Sequence, residues 1–246
     1  MKRFENKVAL ITGGSRGIGA AITKRLAAEG ANVAFTYSKS REKAEAIVAE
    51  IKASGGWALA IEADSADPQA VENAVHKVVN EFGRIDVLVN NAGMYIGKAF
   101  EDHTLEDYDQ IMGINVKAVY AASLAAANHF SAGGRIITIG SNMADNAANP
   151  ETTLYTMSKS ALTGFTKGLA RDLGKKGITV NLVQPGPINT DMNPSDTDLA
   201  DFLRSRMALS EYGTVEDVAG LVAFLASEEG KFITGTALTI DGGFNA

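Results

Sequence analysis

The sequence predicts an α/β fold, a doubly wound parallel sheet with helices on both faces, and two observations carry that prediction. Short, largely apolar runs alternate with longer stretches of helical periodicity along most of the 246 residues. Strands apolar on both faces suit a parallel sheet covered on each side, because a sheet with one wet face would alternate apolar and polar residues. Strand and helix patterns that interleave throughout point to one doubly wound domain rather than separate β and α domains.

Taken in order, the strands are expected at 8–11, 33–35, 58–61, 85–89, 136–139, 178–183 and 237–240. Helices are expected between them near 17–29, 41–54, 68–82, 104–130, 153–174 and 215–227. No internal repeat, low-complexity tract or Pro/Ser-rich linker divides the chain, so residues 1–246 are expected to form a single domain. The rhythm breaks between Pro185 and Gly213, where prolines and four aspartates (Asp191, Asp196, Asp198, Asp201) replace any strand pattern. Loops this long within compact domains are usually functional or mobile, and the aspartates themselves also suit a solvated surface excursion. Residues 186–212 therefore read as a lid over the site, with a short helix near 198–208.

Composition narrows the function. Hydrophobic residues make up 46% and charged residues 21%, as in ordinary globular domains. There is no cysteine, which excludes disulfides and thiolate chemistry and is compatible with a reducing compartment. The net charge is −6, from 23 basic and 29 acidic residues, with no basic stripe of the kind nucleic-acid binders carry. The first ten residues lack the apolar core of a signal peptide, and no run approaches the ~20 apolar residues that span a bilayer. A cytoplasmic location with no membrane partner is expected. His76, His103 and His129 have no ligand spacing, so no metal is expected.

The segment Thr12-Gly-Gly-Ser-Arg-Gly-Ile-Gly19 directly follows the first strand and opens the first helix. Glycines there allow a tight turn, and backbone N–H groups at a helix N-terminus bind a pyrophosphate. This Rossmann-type arrangement puts Gly13, Ser15, Arg16, Gly17, Ile18 and Gly19 against a dinucleotide. The spacing departs from G-x-G-x-x-G and resembles the T-G-x-x-x-G-x-G fingerprint of the short-chain dehydrogenase/reductase family. Further matches follow in the family's order: Asn90-Asn-Ala-Gly93, Asn115, Ser141, Tyr155-Thr-Met-Ser-Lys159 and Pro185-Gly186. The resemblance covers essentially the whole chain and is to the group that includes 3-oxoacyl-[acyl-carrier-protein] reductases.

That resemblance implies a seven-stranded parallel sheet with the site at the carboxyl ends of its strands. It assigns catalysis to Asn115, Ser141, Tyr155 and Lys159, with Asn115 holding helix geometry and a water that links Lys159 to solvent. It brings Asn91, Ala92, Gly93, Pro185, Gly186, Ile188 and Thr190 to the cofactor, and Asp64 and Ser65 to its adenine. It also implies a homotetramer, for which the alanine-rich stretch 118–127 supplies small residues that let another helix approach.

The residue types make chemical sense without the family. Tyr155 and Lys159 are four apart and share a helix face. An ammonium beside a phenol favours phenolate and moves its pKa from ~10 toward the working pH, where proton exchange is efficient. Ser141 can stabilise developing alkoxide charge. NAD-preferring relatives carry an acidic residue at the end of the second strand, where Tyr37 stands here, and no carboxylate follows until Glu42. Arg16, Ser38 and Lys39 could cradle a 2′-phosphate, which favours NADP(H).

Met94, Tyr95, Met143 and Met192 follow motif positions and are candidates for the substrate pocket, while Trp57 reads as packing. The expected function is NADP(H)-dependent interconversion of a small-molecule carbonyl and a secondary alcohol, with Tyr155 as general acid/base. One alternative is a 3-oxoacyl-[acyl-carrier-protein] reductase; another is a nucleotide-binding or sensing protein with secondary catalysis. An acidic carrier needs a basic dock. The segment 127–134 offers no lysine or arginine before Arg135, although Lys175 and Lys176 remain.

Overall fold

A computed structural model describes residues 2–246. Seven strands form one all-parallel sheet in the order β3-β2-β1-β4-β5-β6-β7. They are β1 Val8–Ile11, β2 Asn32–Tyr37, β3 Trp57–Glu62, β4 Ile85–Asn90, β5 Phe130–Ile139, β6 Thr179–Pro185 and β7 Ala237–Ile240. Period-two geometry sends neighbouring side chains to opposite faces, and each face has its own core. Ala9 and Ile11 of β1 join a layer with Ile22 and Leu26 of α1 (Gly17–Ala28), Ile47 of α2 (Arg41–Ala53) and Val222 of α8 (Val215–Ala226). Val8 and Leu10 join the opposite layer, with Val75 of α3 (Pro68–Phe82), Ala122 of α5 (Ala118–Ala127) and Leu173 of α6 (Thr153–Gly174). The central runs are largely apolar because both of their faces are buried, and Asp86 and Asn181 within them bond to backbone, accepting from Val8 N (2.9 Å) and donating to Ile233 O (2.7 Å) respectively.

Helix starts follow the sequence chemistry. Thr214 and Asp217 form a reciprocal capping box at α8, and Thr104 and Asp107 form another at α4 (Leu105–Met112). Asp67 caps α3, with Pro68 in its first turn. Each such cap satisfies backbone donors that the helix leaves free.

The helix expected at 104–130 is not one regular helix. A π turn, Gly113–Lys117, separates α4 from α5, and α5 ends at Ala127. β5 starts at Phe130, six residues before the apolar run, with a register shift where Ile85 pairs with Phe130 and Val87 with Arg135. The small residues before Arg135 conceal a strand that pairing, not hydrophobicity, defines. Arg135 itself is buried, and its guanidinium donates to the carbonyls of Gly133 (2.7 Å), Gly134 (3.2 Å) and Ser227 (3.4 Å). The break at 186–212 contains α7, Asp198–Arg204, shorter than the helix expected near 198–208. Trp57 packs edge-on against Phe82, with ring centroids 4.3 Å apart.

Candidate active site

The strand order reverses between β1 and β4, and a crevice opens beyond the carboxyl ends of the strands at such a point. A cleft of about 780 Å³ lies there. Its walls contain Gly13, Ser15, Arg16, Gly17, Ile18, Gly19, Tyr37, Ser38, Lys39, Asp64 and Ser65. They also contain Asn91, Ala92, Gly93, Ser141, Tyr155, Lys159, Pro185, Gly186, Ile188 and Thr190. Every cofactor residue named from the sequence therefore faces one cavity, as do Met94, Tyr95, Met143 and Met192. Asn115 sits behind the wall, buried in the π turn.

The glycine loop is held by side chains whose role the sequence did not announce. Thr12 Oγ1 accepts from the N–H groups of Asn91 (3.0 Å) and Ala92 (3.1 Å), while Asn91 Nδ2 donates to the carbonyls of Thr12 and Gly13, both at 3.0 Å. Thr36 Oγ1 accepts from Gly13 N at 2.9 Å. A Cβ at Gly19 would overlap the Gly13 carbonyl oxygen and the Asn91 amide, so the loop closes only with glycine there. The result is a cradle in which backbone, rather than side chain, meets whatever enters at the start of α1.

At the carboxyl end of β2 the strand pairing adds a neighbour from β3. No carboxylate follows Tyr37 in the sequence before Glu42, but parallel pairing sets Glu62 of β3 beside it. The Tyr37 hydroxyl lies 3.5 Å from Glu62 Oε2, and Arg41 reaches the same oxygen at 3.3 Å. Arg16 and Lys39 are exposed at this end.

The other end gathers the polar groups of β5 and α6. Ser141 ends the connection after β5 and its Oγ accepts from Met143 N at 3.2 Å. Tyr155 and Lys159 share a face of α6, with the ammonium 5.7 Å from the phenol ring centre. Lys159 is buried, and its Nζ donates to the Ile139 carbonyl at 3.0 Å. Burial disfavours its charge and brings its pKa down to about 8. Burial also pushes the Tyr155 phenol up, with the Ser141 hydroxyl pulling the other way. Desolvation thus acts on the phenol in the opposite direction to a neighbouring ammonium, whose bond to the Ile139 carbonyl uses one of its three N–H donors.

Asn115 is fully committed. Its Nδ2 donates to Met94 O (3.0 Å) and Ser158 Oγ (2.9 Å), and its Oδ1 accepts from Met94 N (2.8 Å). The amide thus ties the π turn to the segment after β4 and to α6, between Tyr155 and Lys159. None of these bonds reaches Lys159 itself.

The histidines stand away from these groups. The rings of His76 and His129 meet edge-on at 5.9 Å, and His103 is buried beside the start of α4. Among the described residues no group of three His, Cys, Asp or Glu side chains could hold a metal ion.

Comparison with known proteins agrees with this geometry. A family model described as enoyl-(acyl carrier protein) reductase matches residues 13–245. A short chain dehydrogenase from Burkholderia cenocepacia, solved in complex with NADP, is 57% identical and superposes with a TM-score of 0.98, covering 99% of this chain and 100% of that one. The cyclic-di-GMP-binding biofilm dispersal mediator protein of Escherichia coli is 47% identical, with each chain covered completely. A 3-oxoacyl-[acyl-carrier-protein] reductase of Staphylococcus aureus is 40% identical over 96% of this chain and 97% of its own. With fold, cleft and relatives in agreement over nearly the full length, this chain belongs to the short-chain dehydrogenase/reductase family.

Proposed function

We propose that the protein is an NADP(H)-dependent oxidoreductase interconverting a carbonyl and a secondary alcohol, with Tyr155 as general acid/base. The observation that carries this is one cleft with a glycine cradle at its middle, exposed Arg16 and Lys39 at one end, and Ser141, Tyr155 and Lys159 at the other. The NADP complex of the Burkholderia relative supports the cofactor. Residues 13–19 would take the pyrophosphate, Asp64 and Ser65 the adenine, and Arg16 with Ser38 and Lys39 the 2′-phosphate. Asn91, Ala92, Gly93, Pro185, Gly186, Ile188 and Thr190 would frame the nicotinamide half. Bound there, NADPH supplies the hydride, and the protein supplies position and field.

In reduction, Tyr155 gives its proton to the carbonyl oxygen while Ser141 donates a hydrogen bond to the same atom. The raised phenol pKa keeps that proton in place until the oxygen turns basic. Lys159, as an ammonium, stabilises the phenolate left behind, and Asn115 fixes the backbone that frames both. Because burial sets the Lys159 pKa at about 8, its charge is present below that pH and lost above it. Reduction rates are therefore expected to fall above about pH 8. The test is NADPH oxidation against a panel of ketones, with kcat/KM followed from pH 6 to 10; a flat profile to pH 10 would remove the role given to Lys159.

We read residues 1–246 as one domain, with 186–212 as the lid. Homotetramer assembly is supported by the apolar side chains Tyr120 and Leu124 of α5 and Met157 of α6, all left exposed. A cytoplasmic site of action fits the lack of cysteine. Among the described residues no helix is long and apolar enough to cross a membrane.

An acyl-carrier-protein substrate is disfavoured by charge. Buried Arg135 cannot serve as the missing cation of a carrier dock, which leaves exposed Lys175 and Lys176, with Arg171 on α6, as a partial patch. One acyl group presented on the carrier is expected to react no faster than on a short thiol. A carrier advantage in kcat/KM of about tenfold or more, weakened by salt, would restore the carrier reading. The Escherichia coli relative favours a second reading, a nucleotide sensor. Tight cyclic-di-GMP binding with no carbonyl turnover would select it.

A further inference from the structure

We infer that the reacting carbonyl belongs to a neutral, aryl-bearing compound and that Tyr95 is the residue that selects it, an inference that rests on the oxidoreductase reading above. The Tyr95 and Tyr155 rings meet edge-on, with centroids 5.1 Å apart and planes at 70°. The backbone fixes this placement. Asn115 clamps both the N–H and the carbonyl of Met94, and a Cβ at Gly97 would lie 2.6 Å from the Tyr95 hydroxyl, so the chain folds tightly under the ring. Tyr95 nevertheless remains 46% exposed, on the cleft wall.

A ring held beside the proton donor with free surface offers an aryl group an offset or edge-on partner. The rest of the wall suits the same guest. Met143 and Met192 add thioethers, which make favourable contacts with aromatic rings, and Leu199 and Leu203 of α7 add aliphatic surface.

Charge then decides against anions. Lys98 is paired with both Asp107 oxygens, and Arg204 with Asp201 and the Ser195 carbonyl. Glu151 precedes α6 with φ at 64°, and its carboxylate raises the Tyr95 pKa alongside burial. At the Tyr95 wall a carboxylate on the substrate would meet the like charge of Glu151, and a buried charge without a partner is costly to desolvate.

The test compares acetophenone, 2-octanone and phenylglyoxylate, by NADPH oxidation and by calorimetric titration of the NADP⁺-loaded protein. Acetophenone should exceed both others by about tenfold in kcat/KM and in affinity. Tyr95→Ala should abolish the advantage over 2-octanone, mainly through KM, and leave NADPH affinity unchanged. Tyr95→Phe should keep the advantage, since the ring and not the hydroxyl is used. Equal losses for both ketones in Tyr95→Ala, or a preference for phenylglyoxylate, would overturn the inference. If no carbonyl turns over, the reaction proposed above falls, and the calorimetric ranking alone then decides whether the pocket selects neutral aryl ketones.

Discussion

Tyr155→Phe is expected to lower carbonyl reduction by about 10² to 10⁴-fold, the usual worth of a positioned general acid, while leaving NADPH affinity within about threefold. The variant keeps the ring that Tyr95 meets edge-on and over which Lys159 sits, so the wall of the cleft is preserved. Only the transferable proton is lost. Ser141 Oγ can donate a hydrogen bond, but an alcohol is a far weaker acid than a phenol. The measurement is steady-state turnover paired with a cofactor titration. Turnover of the variant within about threefold of wild type would remove Tyr155 from the chemistry, whereas loss of cofactor binding would show that the substitution had damaged the site instead.

Arg16→Ala combined with Tyr37→Asp is expected to reverse a wild-type preference for NADPH over NADH. Removing a charged hydrogen-bond partner costs ~1.5–3 kcal/mol, so the first change alone should weaken NADPH about 10- to 100-fold. The second places a carboxylate where it repels a 2′-phosphate and accepts from free ribose hydroxyls. Glu62 stands opposite it as a like charge, which Arg41, already at Glu62, partly offsets. Dissociation constants for both cofactors in the wild type and the double variant test this. Equal affinities in the wild type would count against the whole account of Arg16.

The architecture could be read from residues because its signals were local. Each of the seven apolar runs is a strand, since a buried parallel strand has no polar face to blur it. The glycine loop, Asn91 and the Tyr155–Lys159 pair were visible because backbone approach and helix spacing constrain residue type. What escaped depended on partners distant in sequence. Glu62 meets Tyr37 only through the register of β2 with β3, and Arg135 is buried only because β5 begins six residues earlier than its hydrophobicity suggests. The π turn around Asn115 left no mark in an alanine-rich helix. The rise in the Tyr155 pKa followed from desolvation, which no sequence pattern displays.

The division of the core into two layers bears on how such a protein tolerates change. The layer that includes α1, α2 and α8 underlies the glycine loop and the end of β2. The layer that includes α3, α5 and α6, together with the smaller cluster of Val119, Leu162 and Leu182, lies on the side of α6, which carries Tyr155 and Lys159. The sheet between them insulates one set of packing defects from the other. Mutations that loosen the first layer fall mainly on the grip for a dinucleotide, and those that loosen the second fall mainly on the reacting groups. Cofactor choice and bond-making chemistry can therefore drift along separate paths in descendants of this chain, each buffered by a core of its own.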